Sequence, residues 1–139
     1  MTPSLIVDCS ITMAWCFGDE ATVETARIQD RLIAEAAVVP SHWFLEVVNV
    51  LVFAERHKRI VVADATTFLH LLGGLDIQVD HEASARAFSD VLPLCRSHSL
   101  TSYDAAYLEL AMRRQLPLAS LDDALRIAAK RLGIQVLGK

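Results

Sequence analysis

The chain has 139 residues, 53% of them hydrophobic, and a formal net charge of −4. Length and composition predict one folded domain, residues 1–139, with a sizeable core, and exclude a disordered chain. The acidic balance argues against binding nucleic acid by bulk charge, but not against a nuclease, because an acidic cluster filled with divalent cations becomes locally positive.

The longest stretch without a charge, Ala65 to Leu75, is too short to span a bilayer, so no membrane segment is expected. Met1-Thr2-Pro3-Ser4 has no basic region and reads as no secretory signal. The cysteines, Cys9, Cys16 and Cys95, have no C-x-x-C spacing. They predict buried thiols rather than a disulfide framework or zinc site, which fits a reducing cytoplasm.

In chain order, Leu5-Ile6-Val7 predicts a short buried strand that ends at Asp8. Ligands sit beyond the carboxyl ends of parallel strands, so Asp8 is a candidate site residue; alone, it could equally cap the next helix. Ser10 to Phe17 predicts a short helix, with Trp15 and Phe17 as core or interface groups, broken by Gly18. Asp19-Glu20 then read as the acidic start of a helix running to about Ala36. Ala37-Val38-Val39 is a second strand, closed by Pro40.

Ser41 is placed to N-cap a helix running to about His57. That helix is apolar nearly all round, which predicts burial. Glu46 and Asn49 interrupt it, three residues apart and so on one face. A buried carboxylate needs a cation, a hydrogen-bond network or a raised pKa; a structural ion pair with an arginine is the plain alternative. The run Glu55-Arg56-His57-Lys58-Arg59 reads as a solvated helix end.

Ala63 to Leu72 predicts another helix, stopped by Gly73-Gly74, and Ile77-Gln78-Val79 a strand. His81 to about Arg96 is helical in pattern, with Pro93 marking a kink or early end. The five histidines show no ligand spacing. Thr101 and Asp104 have capping-box spacing at the start of the next helix. Pro117 to Ser120 reads as a short strand, with Ser120 as N-cap and Asp122 and Asp123 in the first helical turn. Gly133 ends that helix, and Ile134 to Leu137 forms a last strand. Alternation throughout predicts an α/β fold: a parallel sheet of four to five short strands with helices on both faces.

Asp8, Glu46, Asp104 and Asp122 each fall at a strand end, a helix start or within an apolar helix. A doubly wound sheet can gather such positions above one edge. Clustered carboxylates need cations to stay ionised, and hard oxygen donors select Mg²⁺ or Mn²⁺.

The chain resembles the PIN-domain family, in particular VapC-type toxins of toxin–antitoxin pairs. The matching pieces are Val7-Asp8-Cys9-Ser10, Phe44 to Leu51 around Glu46 and Asn49, Ser102 to Leu108 around Asp104, Leu118 to Asp122, and the closing Ala128 to Leu137. Ser120 stands where the family often has threonine and keeps the hydroxyl. Which of Asp122 and Asp123 faces the site stays open. The resemblance implies a three-layer PIN-like fold and a Mg²⁺-dependent endoribonuclease that hydrolyses RNA phosphodiester bonds by a metal-activated water. Asp8, Glu46, Asp104 and Asp122 would be the catalytic metal-binding carboxylates, with Asp8 and Asp104 as the foremost direct ligands. Ser10 and Ser120 would orient them. The resemblance also implies a cognate antitoxin and a homodimer. The aromatics Trp15, Phe17, Trp43, Phe44 and Phe53 crowd two early helices, and one or two left exposed would form an apolar groove for an amphipathic partner segment. Two competing readings are an inert PIN-like binding module and a phosphatase of haloacid-dehalogenase type. The second lacks its D-x-D motif, because Ser10 stands two residues after Asp8.

Overall fold

The computed structural model describes residues 1–139. Five parallel strands form one sheet: β1 (Pro3–Val7), β2 (Ala36–Pro40), β3 (Ile77–Asp80), β4 (Leu118–Ala119) and β5 (Val136–Leu137). Their spatial order is β3-β2-β1-β4-β5. The central strands are buried on both faces, so they read as unbroken apolar runs; Leu5, Ile6, Val7, Ala37, Val38 and Val39 are all fully buried. Ile6 sits in register with Val38 on one side and Leu118 on the other.

The strand order reverses between β1 and β4. The chain leaves β1 toward β2 and β3, then returns across the sheet to β4 and β5. Right-handed crossovers therefore put the first helices on one face and the later ones on the other. Packing follows that division. On the first path lie α1 (Cys9–Ala14), α2 (Val23–Arg31), α3 (Trp43–Arg56) and α4 (Val62–Gly73), with α1 against α3. On the second lie α5 (Ala83–Arg86), α6 (Leu92–His98), α7 (Ser102–Arg114) and α8 (Asp123–Arg131), with α7 against α8. A ligand crevice in such a sheet opens at the reversal, beyond the carboxyl ends of β1 and β4.

Several helix boundaries differ from the sequence reading, each for a local reason. α2 starts at Val23, not at Asp19-Glu20, because Thr22 and Thr25 form a reciprocal capping box. Asp19 and Glu20 instead bind Arg59, whose guanidinium also lies 3.8 Å from the centre of the Phe17 ring. Arg59 is thus an ion-pair partner rather than part of a solvated end. α3 begins at Trp43, and neither Ser41 nor His42 caps it through its side chain. Nor is α3 buried all round: Trp43, Val47, Leu51 and Ala54 face the core, while Leu45, Val48 and Phe53 are exposed. The expected helix from His81 is broken into α5, a π-helical segment Ala87–Val91, and α6, where Pro93 occupies the first turn. Asp122, not Ser120, caps α8: its Oδ2 accepts from the Leu125 amide at 2.9 Å.

Candidate active site

Asp8 follows β1 directly, and its amide donates to the Ala119 carbonyl, which ties the ends of β1 and β4 together. Its side chain does two things. Oδ1 caps α1 by accepting from the Ile11 amide at 3.0 Å, and it also accepts from the Ser10 hydroxyl at 2.6 Å. Oδ2 accepts from the Ser120 hydroxyl at 2.5 Å. Each serine is itself fixed by an amide of the turn between β4 and α8. Ser10 Oγ accepts from the Leu121 amide, and Ser120 Oγ accepts from the Asp122 amide. Both hydroxyl protons are therefore aimed at Asp8, and one lone pair of Oδ2 is left over.

Asp8 is only 4% exposed, and burial pushes its carboxyl up to about 6. The bonds from Ser10, Ser120 and Ile11 pull it back, and the charge of Asp104 pushes it up again. Asp104 lies in the first turn of α7, where Thr101 caps its amide. Burial and then the charge of Asp122 raise its carboxyl. Glu46 projects from α3, and Tyr107 of α7 donates to its Oε1 at 2.6 Å. Burial raises Glu46 first; the Tyr107 bond lowers it and Asp104 raises it. The four carboxylates thus form a chain of like-charge neighbours: Asp8 with Asp104, and Asp104 with both Asp122 and Glu46.

Asp123 lies apart from that chain, bound to Lys139 at 2.6 Å. Of the adjacent pair, Asp122 is the one that Asp104 feels. Burial and then the charges of Glu46 and Asp8 push the thiol of Cys9, beside the site, up to about 12, which disfavours its thiolate.

A pattern scan misses Tyr107, His42, Arg126 and Gly138. Tyr107 is fully buried and reads as an ordinary core aromatic. His42 Nε2 lies 3.0 Å from the Tyr103 carbonyl, which can only accept, so that nitrogen carries the proton; Glu46 Oε1 is 3.5 Å away. The buried Arg126 donates to the carbonyls of Ser120 and Leu137, joining the ends of β4 and β5 under the site. Gly138 crosses there at φ +117°, where a Cβ would lie 2.8 Å from the Ile11 side chain and 3.0 Å from the Ser120 carbonyl.

The PIN domain family model matches residues 5–131. The chain belongs to the PIN domain family. Among solved structures, PAE2754 from Pyrobaculum aerophilum is 23% identical, with 98% of this chain and 92% of that one covered and a TM-score of 0.70. That likeness speaks for the fold. No match is found among curated proteins. PIN domains are generally nucleases that use divalent metal ions, so at this coarse level the chain is a nuclease, a hydrolase. The phosphatase reading falls with the family.

The donor set of this PIN domain fits a hard cation. It consists of carboxylate oxygens, burial and mutual repulsion hold several of them above their ordinary range, and the one ion-pair contact among the four is Glu46 with His42. No three of these side chains stand at the spacing of a finished metal cage. They are coupled neighbours rather than assembled ligands.

Proposed function

We propose that this PIN domain is a Mg²⁺-dependent endoribonuclease and the toxin of a toxin–antitoxin pair. The observation that carries the reading is Asp8: buried at the strand-order reversal, clamped by two serines, and facing like charge instead of an arginine. Capping α1 explains one oxygen of Asp8; a bound cation would offset the like charge that burial and Asp104 leave on the rest.

A divalent cation, when bound, would supply positive charge at the scissile phosphate and acidify water there. Asp8, Asp104, Glu46 and Asp122 would hold it. Ser10 and Ser120 keep Asp8 in one orientation and leave Oδ2 with one lone pair for a cation. Tyr107 does the same for Glu46.

Two further features support the toxin reading. Phe44 and Phe53 on α3 are 44% and 64% exposed. A groove of about 360 Å³, lined by Trp43, Phe44, Val47, Val48, Leu69 and Leu72, runs between α3 and α4. Its apolar lining suits an amphipathic antitoxin segment. A homodimer is the assembly we propose with it, read out by sedimentation.

The test is RNA cleavage by purified protein with Mg²⁺, with excess chelator, and with Asp8→Asn. Cleavage that survives the chelator or the substitution overturns the mechanism. Expression alone should arrest growth for wild type and not for Asp8→Asn; harmless wild type removes the toxin role and leaves the nuclease.

A further inference from the structure

We propose that the cleft beside Glu46 is a nucleobase subsite, with the Tyr103 ring as stacking platform and Asn49 reading the edge of the base. The inference deepens the ribonuclease reading and rests on it. The cleft has a volume of about 450 Å³ and is lined by Cys9, His42, Glu46, Asn49 and Tyr103 among others. That is the scale of a small-molecule pocket. Glu46 belongs to both the cleft and the carboxylate chain, so a nucleotide whose phosphate reaches the carboxylates has its base beside this cleft.

Charge favours such a subsite. Without a bound cation, an RNA phosphate approaching four carboxylates on a chain of net charge −4 is repelled, and no lysine or arginine lines the cleft. Adhesion in the absence of metal then has to come from contacts that need no positive charge. Stacking of a base on an aromatic ring is such a contact, worth roughly 5- to 150-fold in affinity per base. Tyr103 is 61% exposed and directly precedes Asp104. Its backbone is fixed by His42, which donates to the Tyr103 carbonyl and packs its ring 5.5 Å from the Tyr103 ring and 5.3 Å from that of Tyr107. His42 is therefore a positioning residue for the platform.

Asn49 supplies discrimination. It lies three residues after Glu46, on the same face of α3 and at the rim of the same cleft. Its amide both donates and accepts, which matches the paired donor and acceptor of a base edge.

The test is a cycle of protein and substrate deletions with short single-stranded RNAs. One set carries 2-aminopurine at successive positions, and a matched set carries one abasic nucleotide. Binding is read in chelator by 2-aminopurine quenching, and KM and kcat separately with Mg²⁺. Tyr103→Ala should weaken binding about tenfold and raise KM more than it lowers kcat. Tyr103→Phe should stay within about twofold of wild type. At one position, an abasic nucleotide should cost wild type the same factor and cost Tyr103→Ala nothing more. Asn49→Ala should change the ranking of the four bases at that position only. Equal losses by Tyr103→Ala on intact and abasic RNA at every position, or no loss, overturns the subsite. Cleavage with an additive cycle overturns the subsite alone; the non-additive cycle in chelator without any cleavage overturns the ribonuclease reading alone. RNA that neither binds nor is cut overturns both.

Discussion

Two carboxylates end parallel strands on the same edge of the sheet, and they live in opposite environments. Asp8 follows β1 at the strand-order reversal; Asp80 ends β3 at the sheet's border. Both are almost fully buried. Burial pushes Asp8 up to about 6, and its charged neighbour Asp104 adds to the push. Burial would raise Asp80 too, but hydrogen bonds from Arg113 and the Glu82 amide, and the charges of Arg113 and Arg114, hold it down at about 2. Arg113 grips Asp80 with both terminal nitrogens at 2.9 Å and Glu109 through Nε at 2.8 Å, while also reaching Glu82. Arg86 extends the network to Asp90. Position at a strand end therefore does not make a site. What separates the two is counter-charge: the Asp80 cluster is closed by its own arginines, and no arginine or lysine binds Asp8.

That contrast predicts opposite phenotypes. The largest effect expected is on turnover: Asp8→Asn should lower RNA cleavage by about 10³-fold, near 4 kcal/mol of transition-state stabilisation, without unfolding the protein. Single-turnover assays on a sample of wild-type circular dichroism check it. The mirror experiment is Arg113→Met. It leaves Asp80 and Glu109 buried with much of their compensation gone and should cost about 3 kcal/mol of stability, because Arg114 still reaches Asp80 at 3.0 Å. Activity per folded molecule should be unchanged. If Arg113→Met abolishes cleavage in folded protein, the division between the two clusters is wrong.

A smaller effect sharpens the same division. Millimolar Mg²⁺ should raise the melting temperature of wild type, by up to about 3 kcal/mol of stabilisation when the ion is near a hundredfold above its dissociation constant. Arg113→Met should show the same increment over its own baseline, and Asp8→Asn little or none. An equal Mg²⁺ response in Asp8→Asn would place the ion elsewhere.

The two strand ends also show what can be read from sequence. Leu5-Ile6-Val7-Asp8 and Ile77-Gln78-Val79-Asp80 carry nearly the same local signal, an apolar run closed by aspartate. The parallel α/β architecture was legible because strand and helix patterns alternate and because buried strands read as apolar runs. The roles of the two aspartates were not, since Asp80 is distinguished by an arginine 33 residues away in the chain. Ser10 is visible near Asp8, but Ser120 lies 112 residues off, and its local context reads as a helix cap. Only the β1–β4 pairing turns its hydroxyl toward Asp8 instead. Glu46 stood out as a carboxylate in an apolar helix, yet its partner is Tyr107 and not an arginine; a buried tyrosine gives no sign in sequence of where its hydroxyl goes. The outward face of α3 is not legible, because a helix apolar nearly all round implies burial on every side, whereas here one face is left open.

The smallest effect is a pH dependence with opposite signs at the two aspartates. The Asp80 carboxyl is depressed in the folded state, to about 2 from an ordinary 3.8. Its contribution is fully present above about pH 4 and is lost as the pH falls toward 2. Asp8 is raised from 3.8 to about 6, so between those values the folded state holds more protons than the unfolded state. Stability then falls as the pH rises through that window, because 2.303RT multiplies a negative difference in bound protons. A carboxyl raised from 3.8 to about 6 forfeits about 3 kcal/mol at neutral pH. Asp8→Asn removes the charge, but an amide nitrogen then replaces one acceptor oxygen and takes back roughly 1 kcal/mol in lost hydrogen bonding. The substitution should therefore stabilise the metal-free protein by about 1–2 kcal/mol at pH 7, with the difference from wild type vanishing near pH 4. Urea unfolding in chelator at a series of pH values measures it. A difference that stays constant with pH would mean that Asp8 is not the strained carboxylate of this fold, and that the like-charge chain above β1 is balanced by some other group.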